Sequence, residues 1–259
     1  MLFRSDDTAP EYNPLYDSNG DLKDPSDVID FFEAVIEFYN AWNSSSLKSE
    51  INSLILTSAY CIDLSNGIQL ADLTGLGRND QVNNKYNPLY DSNGDLRDPA
   101  DTIDFFEAVV GFYNAWNSSS LKSDISTLIL SPVYSINLND GINETELAAF
   151  GKNTGPEYNP LYDLNGDLKD PNDVIDFFEA VVGFYNAWNS SSLKSDISSV
   201  ILNPIYGINL NDGIQLSDLT AFGDDTGPEY NPLYDSNGDL RDRKRRVGKE
   251  CRSRWSPYH

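Results

Sequence analysis

The sequence predicts an all-α fold made of a tandem repeat of about 72 residues, each copy with three helices and two acidic loops. The first observation is a phrase, Tyr-Asn-Pro-Leu-Tyr-Asp, which begins at Tyr12, Tyr86, Tyr158 and Tyr230. A fixed period of this size indicates one supersecondary unit used repeatedly. The second observation is an Asp-Pro helix start in each complete copy, and the third is an apolar pattern with helical spacing after it.

The phrase also predicts the organisation of the chain. Each copy is close to the smallest size at which a single core is stable, so neighbouring copies are expected to stack. The predicted segments are an N-terminal flank, three complete copies, the beginning of a fourth copy and a basic tail: 1–11, 12–85, 86–157, 158–229, 230–242 and 243–259.

The third copy shows how the first half of each unit is predicted. Tyr158–Tyr162 is expected to be extended, because Pro160 disfavours a helix and restrains the residue before it. Polar turn residues follow as far as Asp170, which predicts a loop, called loop one below. Asp170 suits the cap of a helix and Pro171 its first position, and this helix is expected to run to about Trp188.

Two further helices are predicted in the second half of each unit. Three serines, 190–192, are expected to end the first helix and to cap the second. A polar segment, 209–214, predicts a second loop, called loop two below. The short third helix is expected from Gln215 to Phe222, because Gly223 suits a C-terminal cap.

The composition argues against several function classes. The formal net charge of -23 predicts that the chain repels nucleic acid and attracts cations. The single histidine, His259, is the last residue, which argues against a histidine-based catalytic triad or a histidine-rich zinc site. Cys61 and Cys251 do not recur between copies, so no disulfide framework is expected. No apolar run reaches the length of a membrane span, and the first residues lack an apolar signal segment.

Loop one carries oxygen-bearing side chains at alternate positions in every copy. When the chain curls, such side chains can converge on one hard cation, and calcium takes about six to eight oxygen ligands. Two further acids begin the following helix, where such a loop would close. The predicted calcium ligands of loop one are Asp17, Asn19, Asp21, Asp24, Asp27, Asp91, Asn93, Asp95, Asp98, Asp101, Asp163, Asn165, Asp167, Asp170, Asp173, Asp235, Asn237 and Asp239.

Loop two has a similar but weaker pattern. In the second copy the segment 137–142 ends in Gly-Ile, and Glu146 follows four residues after the isoleucine. This is typical of the back half of a calcium loop, whereas the front half is about two residues short. The predicted ligands of loop two are Asp63, Ser65, Asn66, Asp72, Asn137, Asn139, Asp140, Glu146, Asn209, Asn211, Asp212 and Asp218.

Loop one resembles the calcium loop of the EF-hand, and each copy resembles a dockerin module. A dockerin has two such loops, each followed by a helix but lacking the entering helix. The residues that carry the resemblance are 17–21 with Asp24 and Asp27, and 209–214 with Asp218. The resemblance implies calcium-dependent folding and docking to a cohesin-like partner on an extracellular scaffold.

The chain departs from this family pattern in its loops, its first helix and its tandem arrangement. Counted from Asp17, Asp27 is the eleventh residue of the loop rather than the twelfth, and Leu22 stands where glycine is usual. The first helix is long and rich in aromatic residues. Helix capping alone also accounts for Asp24 and Asp27, so a purely structural interpretation of the acids stays open.

The basic tail differs in composition from the repeats. Residues 243–255 resemble the third helix of a Myb-type repeat, in which basic residues and a tryptophan surround Gly-Lys-x-Cys-Arg. The two preceding helices of that family are absent, so such a segment could contact phosphates but would read little sequence. DNA binding through this tail is therefore a second alternative function.

Together, these observations predict a non-enzymatic calcium-binding repeat protein with a structural, adhesive or scaffold-docking role. Nearly equal copies favour multivalent binding over catalysis. The expected partner is a protein, cohesin-like or a matrix component, and the expected place is extracellular or the cell surface if a signal peptide precedes this sequence. The first alternative is a calcium-independent helical solenoid that binds a protein partner.

Overall fold

The computed structural model describes residues 13, 22–77, 86–91, 93–151, 158–163, 165–223, 231–234 and 240. Within these ranges the chain is mostly helical and contains no β-strand, which confirms the all-α prediction. Extended pairing among the described residues is confined to isolated antiparallel bridges in the loop-one segments. Those bridges are Tyr90–Leu96, Tyr162–Leu168 and Tyr234–Leu240.

The longest helices begin at the three Asp-Pro sites that the sequence indicated. They are α1 (Pro25–Ser44), α5 (Pro99–Ser118) and α8 (Pro171–Asn189). In each case the aspartate before the proline accepts a hydrogen bond from a backbone N–H in the first turn: Ser26 N to Asp24, Ala100 N to Asp98 and Asn172 N to Asp170, each at 2.9 Å. Proline fits the first position because its missing N–H would have no partner inside the helix.

The second helix of each unit begins as an α-helical turn and widens into a π-helix. The α-helical turns are α2 (Lys48–Ile51), α6 (Lys122–Ile125) and α9 (Lys194–Ile197). The π-helical segments that follow them are Asn52–Leu56, Ser126–Tyr134 and Ser198–Tyr206.

Proline accounts for the different lengths of the π-helical segments. In the first copy the helix returns to α geometry in α3 (Thr57–Tyr60), whereas the later copies stay π-helical to their ends. Pro132 and Pro204 lie inside the longer segments, and the matching residue of the first copy is Ser58. Proline has no N–H to donate within an α-helix and its ring clashes with the preceding turn, so a wider turn suits it better.

Each second helix ends on a residue in the left-handed region. Cys61, Ser135 and Gly207 have φ values of 57°, 58° and 68°. A short 3₁₀ segment and a last helix follow in every copy. The 3₁₀ segments are Leu64–Asn66, Leu138–Asp140 and Leu210–Asp212, and the last helices are α4 (Leu70–Leu76), α7 (Glu144–Phe150) and α10 (Leu216–Gly223).

A buried tryptophan links the first helix to the second in each copy. The indole N–H of Trp116 donates to the carbonyl of Lys122 and to the hydroxyl of Ser126, both at 3.1 Å. Trp188 makes the same pair of bonds, to Lys194 at 3.1 Å and to Ser198 at 3.0 Å. These bonds satisfy the buried serines and fix the angle between the two helices.

The chain divides into two compact units, Met1–Ile175 and Asp176–His259. In the first unit α1 packs against α5, and the rings of Phe38 and Phe106, both fully buried, meet edge to face at 6.4 Å. In the second unit Phe184 and Phe222 meet in the same way at 5.2 Å. Aromatic pairs of this geometry stabilise a core beyond the area that they bury.

The loop-one segment of the second copy lies between two helices of the first unit. Tyr86 packs on Phe105 of α5 at 4.7 Å, and Tyr90 stacks on Phe31 of α1 at 6.5 Å. The hydroxyl of Tyr60 donates to the carbonyl of Tyr86 at 2.8 Å. This segment therefore belongs as much to the helices before it as to those after it.

Two glycines at matching positions of α5 and α8 predict different responses to alanine. A Cβ on Gly111 would lie 3.0 Å from the ring of Pro171, whereas a Cβ on Gly183 would meet nothing within 4 Å. We expect Gly183→Ala to raise the free energy of unfolding by up to about 1 kcal/mol, because glycine weakens a helix interior by that amount. Gly111→Ala should gain less or lose stability, since Pro171 would have to move. Urea unfolding followed by circular dichroism checks both variants, and equal gains would contradict the close approach.

Candidate functional site: the two acidic loops

Loop one of the second copy is a tight turn organised by the carboxylate of Asp91. Its Oδ1 accepts hydrogen bonds from the backbone N–H groups of Asn93 at 2.8 Å and Asp95 at 3.0 Å. Its backbone pairs with Asp95 and Gly94, and Gly94 has a φ of +88° that favours glycine. The turn is therefore closed by the first of its predicted ligands.

The third copy repeats this geometry. Oδ1 of Asp163 accepts from Asn165 N at 2.8 Å and from Asp167 N at 2.9 Å, and Gly166 has a φ of +88°. In both copies the amide of the middle asparagine reaches the other carboxylate oxygen, at 3.3 Å and 3.4 Å. The second and third predicted ligands are exposed in both turns.

Hydrogen bonding holds the first aspartate of each described turn in its charged form. Backbone N–H groups, first that of Asp95 and then that of Asn93, lower the pKa of Asp91 below its ordinary value. The pKa of Asp163 is lowered in the same way, mainly by Asp167 N–H. The stability that these bonds contribute is present at neutral pH and is lost as the pH falls through the lowered pKa values.

The acids at the start of each first helix act as helix-terminal residues in this structure. Asp24, Asp98 and Asp170 cap α1, α5 and α8, as described above, and all three are exposed. The following acids, Asp27, Asp101 and Asp173, lie exposed in the first turn, where negative charge favours the helix dipole. Capping therefore accounts for these positions without a cation.

Some of the predicted positions and the basic tail fall outside the described ranges. Asp17, Asn19 and Asp21 of the first copy lie outside the described residues. The same holds for Asp235, Asn237 and Asp239 of the fourth copy. The basic tail, 243–259, which carries the Myb-type resemblance, also lies outside them.

Loop two is closed by a buried acid that bridges its two ends. Asp218 is 1% exposed, and its two oxygens accept from Asn209 N at 2.8 Å and Gln215 N at 2.9 Å. Asp72 accepts from Asp63 N and Gln69 N in the first copy, at 2.9 Å and 2.7 Å. A carboxylate held by two backbone donors fixes the loop and caps the last helix at once.

The second copy has the same bridge with a longer side chain. Glu146 is 5% exposed and accepts from Asn137 N at 3.5 Å and from Asn143 N at 3.3 Å. These distances are longer than those of Asp72 and Asp218, so the glutamate bridge is the weaker one.

Burial sets the protonation behaviour of this acid in the third copy. Desolvation raises the pKa of Asp218, and the two backbone donors partly offset the increase. The folded chain therefore holds this proton more tightly than the unfolded chain does. Its contribution stabilises the fold at acid pH and is lost as the pH rises through the raised pKa.

The front half of loop two forms turns of its own. Asp63, Asn137 and Asn209 accept hydrogen bonds from the backbone N–H groups of Ser65, Asn139 and Asn211. Asp140 accepts from the side chain of Asn137 at 2.9 Å, and Asn66 donates to Asp63 at 3.4 Å. Asp212 lies exposed in its 3₁₀ segment.

The two loops differ in how well their donors fit a calcium ion. Loop one offers carboxylate and amide oxygens of the type that calcium prefers, with two of its three turn residues exposed. In loop two the closing carboxylates are buried and accept from two backbone amides each. The first aspartate of each described loop-one turn also accepts from two backbone amides, but the third predicted ligand of the same turn is exposed. Across the part of the chain that the structure describes, no group of three or more His, Cys, Asp or Glu side chains lies close enough to hold a metal ion.

The sequence pattern did not identify a set of polar side chains between the first two copies. Asn114 of α5 donates to Glu50 of α2 at 2.6 Å, and Ser45 donates to Glu107. Ser58 donates to the carbonyl of Ile142 at 3.1 Å. Polar residues on the outer faces of amphipathic helices are usually solvated. The sequence signal was only that most of them recur between copies, and Ser58, which matches Pro132 and Pro204, does not.

Comparison with protein-family models, with curated proteins and with solved structures finds no match to this chain. Within the described ranges, no helix is both long enough and apolar enough to cross a membrane.

Proposed function

We propose that this chain is a structural interaction protein, an array of three-helix units that stack on one another and present their loops and outer faces to protein partners. In this proposal calcium binds at loop one and stabilises the contact between neighbouring copies of the repeat. The expected partner is a cohesin-like or matrix protein, and the expected place is outside the cell. No catalytic role is proposed for the acids.

The contact between α1 and α5 is the observation that carries the proposal. It contains a buried aromatic pair, Phe38 with Phe106, and beside it α2 of the same copy adds a polar pair with α5, Glu50 with Asn114. An apolar centre with polar pairs at its rim is the usual anatomy of a specific interface. Copies that share such a contact present equivalent surfaces more than once, so weak contacts to a partner add.

The ionised form of the loop-one aspartates supports calcium as the ion that they bind. Asp91 and Asp163 are kept ionised, and each lies in a turn with a second carboxylate and an amide oxygen. The chain has a formal net charge of -23, so neutralising these turns would also relieve repulsion within it. Metal binding and folding should therefore be coupled.

We expect about 1 mM calcium, the range in which extracellular calcium modules fill, to raise the melting temperature of the full chain above its value in a chelator. The double variant Asp91→Asn and Asp163→Asn should lose this increase. Calorimetric titration and circular dichroism melting check both results. The matched control is Asp30→Asn with Asp104→Asn, which removes the same charge from exposed positions of α1 and α5.

The control pair should keep the calcium-dependent increase in melting temperature. It removes the same amount of charge but leaves both loop-one turns intact. If the unaltered chain shows neither heat of binding nor a shift in melting temperature with calcium, the loops are structural turns. The calcium-independent solenoid would then be the better description, and the stacking of units would stand unchanged.

A further inference from the structure

Two apolar faces of the chain are exposed, although the matching residues in other copies of the repeat are largely buried. The first, called the head face, consists of Ile29 and Ile36 on α1, which are 54% and 55% exposed. The second, called the tail face, lies on the second helix of the third copy. It consists of Leu193, Val200, Ile201 and Ile205, which are 59%, 66%, 44% and 55% exposed.

The head face matches residues that are buried in the later copies. In the second copy Ile103 and Val110 occupy the positions of Ile29 and Ile36, and they are 3% and 0% exposed. They lie on α5, the helix that packs against α1 of the first copy. The first copy has the same apolar stripe on α1, and there Ile29 and Ile36 are exposed.

The tail face matches residues that are covered in the first unit. Ile55 and Ile129 occupy the position of Ile201 in the first and second copies, and both are fully buried. Leu54 and Leu128, which correspond to Val200, are half-buried. In the first copy this part of the chain adjoins the second copy of the repeat, through the bonds from Asn114 to Glu50 and from Ser58 to Ile142.

Two of the three polar pairs of the internal interface also have their partners at the two faces. Beside the head face, Glu33 and Asn40 stand where the second copy has Glu107 and Asn114. Beside the tail face, Ser191 and Asp196 stand where the first copy has Ser45 and Glu50. Two hydrogen bonds of the internal interface could therefore form again, from Ser191 to Glu33 and from Asn40 to Asp196.

We propose that the head face of one chain docks on the tail face of a second copy of this chain, repeating between molecules the contact that joins the first two copies. A second copy of this chain is the occupant because the contact would repeat an interface that is already in the molecule. The apolar residues and two of the polar pairs of that interface are present at the two faces. Such a contact joins different surfaces of the two molecules, so it produces a ring or an open filament. It rests on the proposed stacking role and does not require calcium.

The test is sedimentation velocity of the full chain between about 1 µM and about 200 µM, the range in which modest interfaces associate. About 0.3 M salt limits the repulsion between acidic chains. The mass of the unaltered chain should rise with concentration above 28.9 kDa. Ile36→Asp, which blocks the head face, and Ile201→Asp, which blocks the tail face, should each stay at the mass of one chain.

Mixing the two blocked variants gives the decisive result. Each variant keeps one intact face, so the mixture should form a species of twice the chain mass and none larger. Ser199→Asp is the matched control, because it adds the same charge at an exposed position of the same helix and should associate normally. Val200→Asp is a second tail variant at a more exposed site, and circular dichroism melting confirms that all variants fold.

Three results would overturn the proposal: a single-chain mass for the unaltered protein throughout, association that survives both substitutions, or a mixture that gives no doubled mass. Association of one blocked variant by itself, with the other variant staying at the mass of one chain, would also overturn it and would indicate a contact between identical faces. Each of these results leaves the stacking of units inside one chain intact, because that stacking is measured separately by core substitutions in α1 and α5.

Discussion

Phe106→Ala is expected to lower the free energy of unfolding by about 3–5 kcal/mol, the usual cost of deleting a buried phenylalanine ring. Phe106 is fully buried and lies at the contact between α1 and α5. Its ring meets Phe38 at 6.4 Å and Tyr86 at 6.0 Å. The loss should appear in urea unfolding followed by circular dichroism and tryptophan fluorescence.

The first copy supplies a matched control for this substitution. Phe32 occupies the position of Phe106 within the repeat but is only half-buried. Phe32→Ala should cost about 1–2 kcal/mol, in proportion to the smaller area that it removes from water. Equal losses for the two variants would mean that the preceding copy adds nothing at Phe106, and the proposed stacking would fail. A double substitution with Phe38→Ala measures the coupling between the rings.

Asp218→Ala is expected to destabilise the second unit by about 2–4 kcal/mol, because it leaves two backbone N–H groups without their acceptor. Those groups belong to Asn209 and Gln215, at opposite ends of loop two. Asp218→Asn should cost less, since one oxygen remains to accept. Both losses should be the same in calcium and in a chelator if the carboxylate acts as an internal bridge.

The control for Asp218 is an acid of the same loop. Asp212 is exposed, so Asp212→Ala should change the free energy of unfolding little in a chelator. A large calcium-dependent loss for Asp212→Ala, together with a calcium-dependent loss for Asp218→Ala, would show that loop two binds metal and that the bridge is not its main role. Chemical unfolding at matched ionic strength separates these outcomes.

Local signals in the sequence were sufficient for the helix starts. An aspartate followed by proline caps a helix through groups within three residues of one another, so α1, α5 and α8 begin where the pattern places them. The ends of the last helices were also local, since glycine follows α4 and α7 and ends α10. Apolar periodicity then identified the buried faces, as with Phe38 and Phe106.

The parts that the sequence did not reveal depend on contacts or on competing uses of one residue type. The π-helical geometry of the second helix was missed, although Pro132 and Pro204 were a signal that an α-helix would be strained there. The left-handed residues at its end were missed because only Gly207 is a glycine, whereas Cys61 and Ser135 hold the same conformation. Their strain is offset by the surrounding fold.

The role of the closing acids in loop two could not be decided from spacing. An acid in the first turn of a helix serves as a cap or as a metal ligand, and both uses favour the same positions. Only the burial of Asp72, Glu146 and Asp218, together with their backbone donors, shows how they are used in this structure. The residue pairs in the contact between copies were likewise not predicted from the sequence. They join residues more than sixty positions apart, such as Glu50 and Asn114.

The placement of Tyr90 against Phe31 means that the boundaries of the sequence repeat differ from the boundaries of the packed structural repeat. The Tyr-Asn-Pro-Leu-Tyr phrase stands at the start of each sequence repeat. Its second tyrosine, however, completes the packing of the first helix of the preceding copy. The same is true of Tyr234, which stacks on Phe177, and of Leu233, which is buried. A fragment cut just ahead of the phrase would thus lose its own closing residues, and a shuffled or shortened gene should be divided after the turn instead.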